Sequence, residues 1–164
     1  MKLEDACALA DRIVHCIEHL CDKIQVVGSI RRKRADVHDV DIVLIPQAWM
    51  WNTIIQCLKT NMQAHVVKAG QELATLEVPI GATNETIQVD IYKASPETWG
   101  VLLLIRTGSK EHNVMMCSRT RSLGMMLSAA KGVIKDGKII ASKTEQEIFE
   151  ALNMEFVAPE KREV

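Results

Sequence analysis

The sequence has few aromatic residues and no long apolar run. Aromatic side chains make up 4% of its 164 residues, although apolar side chains together make up 48%. The core must therefore be built mainly from aliphatic side chains, with the eight methionines as flexible filler. No apolar stretch reaches the roughly 20 residues that a membrane-spanning helix needs, so the pattern argues against a helical integral membrane protein.

Paired cysteine motifs, a secretion signal, internal repeats and low-complexity segments are also lacking. The five cysteines form no C-x-x-C pair, and Cys16 and Cys21 have no partners at zinc-finger spacing. An odd number of cysteines without a secretion signal indicates reduced thiols. We therefore expect a soluble intracellular protein, located in the cytoplasm or the nucleus.

The net charge is close to zero, but the charges are unevenly distributed. The formal net charge is −1 and the pI is about 6.5, which as a global balance argues against nucleic-acid binding. Residues 101–143 nevertheless carry eight basic and two acidic side chains, net +6, between acidic segments 1–22 (net −3) and 144–164 (net −4). This basic segment is a candidate surface for a phosphate backbone, and a merely solvated basic face is the alternative.

Hydrophobic periodicity predicts an α+β protein of one domain or two small lobes. The predicted helices cover residues 3–21, 49–59, 95–106 and 110–123, with a last helix opened by a capping box at residues 144–147. The predicted strands cover residues 24–27, 40–45, 65–68, 73–78 and 86–92, and a hairpin turn is predicted at residues 135–138. A soft boundary between the lobes is expected near residues 95–107.

Two aspartates stand one residue apart in the second predicted strand. Because side chains alternate along a strand, Asp39 and Asp41 emerge on one face, while Val40 and Ile42 point to the other. Two close carboxylates repel each other unless a cation lies between them. Aspartates that simply face water at a strand end are the simpler interpretation of this pair taken alone.

A third aspartate, in the strand predicted at residues 86–92, favours a metal site over aspartates that simply face water. Asp90 points away from the apolar positions Ile87, Val89 and Ile91, so pairing of the two strands would let three carboxylates converge. Such hard oxygen donors suit Mg²⁺, and two ions about 4 Å apart would hold the attacking and leaving oxygens of an in-line phosphoryl displacement. Asp90 would then help to remove the proton of the attacking hydroxyl.

A Gly-Ser pair precedes the first two aspartates. Gly28 allows the backbone to approach a phosphate closely, and Ser29 offers a hydroxyl and an N–H group. Arg31 and Arg32 follow, and strand-like alternation would aim one of them at phosphate oxygens. A solvated or localisation-like basic cluster is the alternative for the run from Arg31 to Arg34.

These motifs together resemble a known family. The pattern Gly-Ser-x-Arg-Arg, followed by Asp39-x-Asp41, resembles the polymerase-β-like nucleotidyltransferase superfamily. The stretch "QVDIYKASPETWGVLLLIRTGSKEHNVMMCSRTRSLGMML" and the ending "GKIIASKTEQEIFEALNMEFVAPEKREV" resemble the family X DNA polymerases. The resemblance covers roughly residues 24–164.

The resemblance implies a nucleotidyltransferase palm followed by a small α/β thumb-like lobe. The implied parts are an N-terminal helix packed on the palm (1–23), the palm (24–95) and the thumb-like lobe (96–164). Asp39 and Asp41 would bind two Mg²⁺ ions, for which Mn²⁺ can substitute, and Asp90 would bind the catalytic one. Only about 23 residues precede the first predicted strand, so we expect the reduced palm-plus-thumb form, known from a viral member of the family, without lyase and fingers domains.

The resemblance also implies contacts with the incoming nucleotide and with DNA. The residues that would contact the dNTP are Gly28, Ser29 and Arg32 at the phosphates, Gly108 and Ser109 at the sugar, and Asn113 at the base edge. A cis peptide bond is implied at Gly108–Ser109. The residues expected at the DNA backbone are Lys110, Arg119, Arg121 and Lys131.

The sequence departs from the family pattern at the positions that govern selectivity. Ile105-Arg106 replaces the pair before Thr-Gly-Ser that faces the sugar, Tyr92 replaces an arginine after the third aspartate, and Cys117 replaces an arginine at the template strand. We expect a monomeric, minimal DNA-directed DNA polymerase that uses primer-template or gapped DNA in short-gap repair. A template-independent or ribonucleotide-accepting terminal transferase is the alternative, and a non-catalytic nucleic-acid binding module is a third possibility.

Overall fold

The computed structural model describes residues 1–163, which form two compact units. The first unit comprises Met1–Lys93, and the second begins at Ala94. Each unit has its own cluster of buried apolar side chains. No helix in residues 1–163 has the length and the apolar character required to cross a membrane.

The first unit is a mixed five-stranded sheet with α1 and α3 on one face. Its helices are α1 (Leu3–Ile17), α2 (Gly28–Arg31) and α3 (Trp51–Asn61), and its strands are β1 (Cys21–Val26), β2 (Asp39–Pro46), β3 (His65–Ala69), β4 (Leu73–Pro79) and β5 (Thr86–Lys93). The strand order is β1-β2-β5-β4-β3, and only the central pair β2–β5 is parallel.

Alternation along the central strands places the core on one face of this sheet. Val40, Ile42 and Leu44 of β2 are fully buried, together with the apolar stripes of α1 and α3. The intervening residues Asp39 and Asp41 are only half-buried. The two helices therefore cover one face of β2 and β5, and the polar side chains of these strands lie on the other face.

The second unit combines three helices with a small antiparallel sheet. Its helices are α4 (Trp99–Thr107), α5 (Lys110–Ser122) and α6 (Glu145–Ala151), and its strands are β6 (Met126–Ser128), β7 (Gly132–Lys135) and β8 (Lys138–Ala141). The predicted hairpin turn is present between β7 and β8, where Asp136 and Gly137 both have positive φ. The predicted cap of the last helix is also present, because Thr144 Oγ1 accepts a hydrogen bond from the Glu147 amide.

Three predicted helix boundaries were wrong. The first helix ends at Ile17, and Cys21 already begins β1. Trp49 has a φ of +67°, which an L residue rarely adopts in a right-handed helix, so α3 begins two residues after the predicted start. Ser95 forms a turn with Thr98 instead of capping a helix, and α4 begins only at Trp99.

The segment after β1 also differs from its predicted extended form. Gly28–Arg31 forms one helical turn, closed by a hydrogen bond from the Arg32 amide to the Gly28 carbonyl. Strand-like alternation therefore cannot decide which of Arg31 and Arg32 faces a phosphate, and that part of the prediction was wrong. Helical geometry separates the directions of successive side chains by about 100°.

Candidate active site

The three predicted carboxylates lie on one face of the first unit's sheet. Asp41 of β2 is directly opposite Asp90 of β5 in the parallel register, and Asp39 precedes Asp41 by two residues. Neighbouring strands are about 4.8 Å apart, so the backbones of Asp41 and Asp90 are immediate neighbours. The next strand continues the row, because Thr75 of β4 is opposite Asp90.

Two of these carboxylates accept hydrogen bonds from neighbouring side chains. Asp90 accepts hydrogen bonds from Thr75 Oγ1 at 2.6 Å and from Gln88 Nε2 at 2.8 Å, one at each carboxylate oxygen. Tyr92 donates its hydroxyl to Asp41 at 3.5 Å. Within residues 1–163, no three or more histidine, cysteine, aspartate or glutamate side chains are grouped so that they could hold a metal ion. The register therefore places the three carboxylates on one face of the sheet.

The predicted Gly-Ser pair lies against one of the carboxylates. The Val27 amide donates a hydrogen bond to the Asp41 carbonyl at 2.8 Å, which ties the turn to β2. Gly28 has a φ of +62°, and a Cβ atom on it would lie 2.2 Å from Asp41 Oδ2. The Ser29 hydroxyl is buried and has no hydrogen-bond partner among the described residues. A buried hydroxyl without a partner among the described residues can donate a hydrogen bond to a ligand oxygen.

For the nucleotidyltransferase activity that the sequence resemblance implies, we predict that Gly28→Ala lowers nucleotide incorporation about 100-fold, because the added methyl group displaces Asp41 and ångström-scale misplacement costs that much. The matched control is Gly81→Ala. Gly81 has nearly the same φ, +61°, but its Cβ would meet nothing within 4 Å. Both variants carry the same backbone strain of about 1–2 kcal/mol. The difference in incorporation between them therefore isolates the effect of the contact with Asp41. Equal incorporation by the two variants, measured by primer extension, would contradict the prediction.

In the second unit, the predicted Gly-Ser turn connects two helices. The Gly108–Ser109 peptide bond is cis. Ser109 caps α5 by accepting a hydrogen bond from the His112 amide, and its own amide donates to the Arg162 carbonyl at 3.1 Å. The chain near its described end therefore holds this turn in place.

Asn113 connects α5 to the preceding helix. Its Nδ2 donates to the Ile105 carbonyl at 2.9 Å, whereas its Oδ1 is buried without a hydrogen-bond partner in residues 1–163. The fixed amide therefore presents an available acceptor.

A cavity of about 490 Å³ opens beside this amide. Its lining residues are Ile105, Gly108, Lys110, Asn113, Val114, Cys117, Ser118 and Arg121. Sequence reasoning missed Val114 and Ser118, although the helical period places both one turn from predicted residues. The cavity thus combines two basic side chains with an amide and an apolar wall.

Two predicted DNA contacts do not line this cavity. Arg119 donates from Nε to the Leu152 carbonyl at 3.0 Å, which connects α5 to the end of α6. Lys131 is exposed in the connection between β6 and β7. Lys110 and Arg121 are the predicted basic residues that the structure brings together with Asn113.

A buried histidine lies at the first turn of α5, and sequence reasoning missed it. His112 is fully buried, and neither ring nitrogen has a hydrogen-bond partner within the described residues. Burial, and after it the positive charge of Arg162, lowers the pKa of His112 from 6.5 to about 4, although the negative charge of Glu145 opposes them. The imidazole is therefore neutral near pH 7.

We predict that the second unit loses stability as the pH falls from about 6.5 to about 4. Over that range the unfolded chain binds a proton at His112 that the folded chain does not bind. The free energy of unfolding therefore falls by about 3 kcal/mol. His112→Phe should flatten the profile of unfolding free energy against pH, and replacing the exposed His15 with glutamine should not. Parallel profiles for wild type and His112→Phe, measured by urea unfolding, would overturn this assignment.

Comparison with known proteins places these features in a familiar fold. A family model described as DNA polymerase beta thumb matches residues 102–163. The crystal structure of Leishmania infantum polymerase beta, a ternary P/T complex, superposes with a TM-score of 0.85 at 19% sequence identity, covering 100% of this chain and 77% of that chain. No curated protein matches the sequence. The predicted α+β, family X polymerase-like fold is confirmed.

Proposed function

We propose that this chain, whose fold is family X polymerase-like, is a nucleotidyltransferase that extends the 3′-hydroxyl of a DNA primer with dNTPs. The observation that supports it most is the register of Asp41 opposite Asp90, with the Gly28–Ser29 turn against Asp41. That arrangement combines a carboxylate pair with a place for phosphate oxygens on one face of one sheet. Neither element alone would distinguish phosphoryl transfer from a solvated sheet surface.

The donor set fits divalent cations. Asp39, Asp41 and Asp90 offer hard carboxylate oxygens on one face, and Asp90 now accepts its hydrogen bonds from neutral groups that a cation can replace. Two Mg²⁺ ions, or Mn²⁺ in their place, would supply Lewis-acid stabilisation of the attacking and leaving oxygens when bound. Asp39 and Asp41 would hold both ions, and Asp90 would hold one.

The chain's own groups would then orient the reactants. The orphaned Ser29 hydroxyl donates to a phosphate oxygen of the nucleotide, and Arg32 offers its guanidinium fork to the same triphosphate. Asp90 accepts the proton of the primer hydroxyl. In the second unit, Gly108 and Ser109 contact the sugar, and the free Asn113 Oδ1 accepts a hydrogen bond from the base edge.

The cavity beside Asn113 favours a second candidate function with the same chemistry. Cys117 and Ile105 line it, where the family pattern has a template-contacting arginine and a sugar-facing residue. The thiol of cysteine is a weak hydrogen-bond donor on a short side chain, so it reaches less far toward a nucleic-acid strand and binds it less strongly than a guanidinium group does. A template-independent or ribonucleotide-accepting terminal transferase is therefore the alternative to a templated polymerase in short-gap repair.

Primer extension distinguishes these two functions. We expect the purified chain with Mg²⁺ to extend a matched primer on gapped DNA at least about tenfold faster than a mismatched or an unpaired primer, because each mismatch costs the templated complex free energy. Equal extension of all three primers would exclude the templated polymerase and leave the terminal transferase. Parallel reactions with dNTPs and rNTPs test the sugar selectivity. Extension of none would argue against both.

A further inference from the structure

Two neutral side chains donate to the carboxylate of Asp90, one to each oxygen. Thr75 Oγ1 donates to Oδ1 at 2.6 Å, and Gln88 Nε2 donates to Oδ2 at 2.8 Å. The first distance is typical of a hydroxyl that donates to a charged carboxylate, which is a stronger hydrogen bond than one between neutral groups. The two donors also differ in how firmly the fold holds them.

The fold holds Thr75 from both sides. Strand β4 lies between β3 and β5, and the backbone of Thr75 is paired with Lys68 on one side and with Asp90 on the other. Its neighbours along the chain, Ala74 and Leu76, are fully buried. The side chain itself is branched at Cβ, which restricts its rotamers. The Thr75 hydroxyl is therefore a fixed donor beside Oδ1.

The fold holds the side chain of Gln88 less firmly. This side chain is exposed, and it reaches Oδ2 along its own strand, because Gln88 precedes Asp90 by two residues in β5. A glutamine side chain held in a single geometry loses much rotamer freedom, and water competes for its amide where it is exposed. The hydrogen bond at Oδ2 is therefore the easier of the two for a cation to displace.

Only one of these hydrogen bonds has to give way when the carboxylate binds a cation. The two oxygens of an ionised carboxylate together offer about four acceptor sites. Oδ1 can therefore keep the Thr75 hydroxyl while Oδ2 exchanges the Gln88 amide for a new partner. A carboxylate that is held at one oxygen has a fixed plane, so the direction of the other oxygen is fixed as well.

We propose that Thr75 is a positioning residue, whose hydroxyl holds Oδ1 of Asp90 so that Oδ2 is presented to a divalent cation. The inference rests on the proposed function, in which Asp90 binds one cation. Thr75 touches neither the cation nor the reactants and acts through the orientation of Asp90. Hydrogen-bond partners of metal-binding side chains typically contribute about 10- to 100-fold to metal affinity or activity.

The test measures the binding of Mg²⁺ alone to the full chain, from the increase in the urea midpoint with Mg²⁺ concentration. Thr75→Val removes the hydroxyl but keeps the shape of the side chain, and we expect it to weaken Mg²⁺ binding at least about tenfold. Thr75→Ser restores the hydroxyl and should bind Mg²⁺ within about threefold of the wild type. Gln88→Ala should weaken Mg²⁺ binding less than Thr75→Val does.

The matched control is Thr86→Val, because Thr86 also lies in a strand of this sheet and its side chain is exposed. It should bind Mg²⁺ as the wild type does. Thermal melting without Mg²⁺ confirms that each variant folds, and Thr75→Ala provides a second removal of the hydroxyl.

Steady-state primer extension gives a second readout. Thr75→Val should lower kcat at least about tenfold and change the KM for dNTP by less than about threefold, because the orientation of Asp90 affects the chemical step more than nucleotide binding. A merely structural contact would not divide the loss between kcat and KM in this way.

The opposite results overturn the proposal. Equal Mg²⁺ binding by Thr75→Val and Thr86→Val, an equal loss in Gln88→Ala, or no recovery in Thr75→Ser would each exclude a positioning hydroxyl. A loss of stability in Thr75→Val that is the same with and without Mg²⁺ would make the contact purely structural. No stabilisation of the wild type by Mg²⁺ would also overturn the role of Thr75.

Failure of the proposed function has a different signature. A wild-type chain that extends no primer, combined with weaker Mg²⁺ binding in Thr75→Val, would exclude the polymerase activity and retain the role of Thr75 at the cation site.

Discussion

Replacing Asp90 with asparagine is expected to lower nucleotide incorporation at least about 1,000-fold while leaving the first unit folded. The carboxylate would lose both its affinity for a divalent cation and its capacity to accept the primer proton, and general base catalysis alone contributes about 100- to 10,000-fold. The amide keeps the size of the side chain and still offers an oxygen to Thr75. Steady-state primer extension with saturating dNTP measures the loss.

Stability measurements separate the chemistry from folding. Asp41 and Asp90 are opposite each other, so removing one negative charge should leave the unfolding free energy unchanged or raise it when no divalent cation is present. Mg²⁺ should stabilise the wild type against urea and should stabilise Asp90→Asn less, because a cation that binds the folded state shifts the equilibrium toward it. This readout does not depend on activity.

The control for Asp90 is an aspartate outside the carboxylate face. Asp36 is exposed, and its backbone forms an isolated antiparallel β-bridge with Lys2. Asp36→Asn should therefore retain incorporation within about twofold of the wild type. If Asp90→Asn retained incorporation within tenfold, Asp90 would have no part in catalysis, and its assignment as a metal ligand would be wrong.

Replacing Arg162 with methionine is expected to destabilise the second unit by about 3–5 kcal/mol, because it removes the buried guanidinium group that donates to a buried carboxylate. Arg162 is fully buried, and its Nη1 donates to Glu145 Oε1 at 2.7 Å. The guanidinium group also lies 5.4 Å from the ring centres of Phe149 and Phe156. Urea unfolding, followed by hydrogen exchange of the α6 amides, measures the change.

A double substitution tests whether the broken ion pair causes the loss of stability. Arg162→Met combined with Glu145→Gln removes the charge from both positions and should recover more than half of the stability lost by Arg162→Met alone. The neighbouring exposed Lys161 provides the control, and Lys161→Met should change the unfolding free energy by less than about 0.5 kcal/mol. A loss below 1 kcal/mol in Arg162→Met would show that the ion pair does not stabilise the unit.

The turn at Gly108–Ser109 should respond to the same substitution. The Ser109 amide donates to the backbone carbonyl of Arg162, so the side chain that anchors Arg162 also holds the carbonyl in place. Hydrogen exchange at the Ser109 amide should therefore accelerate in Arg162→Met under native conditions. The buried ion pair would thus influence the geometry of Ser109, which is predicted to contact the nucleotide.

Local periodicity determined which residues share a face. A strand alternates every two residues, so Asp39, Asp41 and Asp90 could be separated from Val40, Ile42 and Val89 without knowledge of the fold. The turn at Asp136–Gly137 and the cap at Thr144 were predictable for the same reason, because both depend on neighbouring residues. The boundaries at Ser95 and Trp49 were predicted wrongly although local geometry sets both: Ser95 forms a turn with Thr98, and Trp49, which is 95% exposed, has a φ of +67°.

Tertiary structure alone decided which distant groups meet. The register that places Asp41 opposite Asp90, and the contact between Gly28 and Asp41, both require β2 to be positioned by strands and turns elsewhere in the chain. Arg162 and His112 stand in polar stretches that indicate exposure, yet packing buries both. Sequence patterns report the interactions of neighbours along the chain, whereas burial and register are set by segments separated by tens of residues.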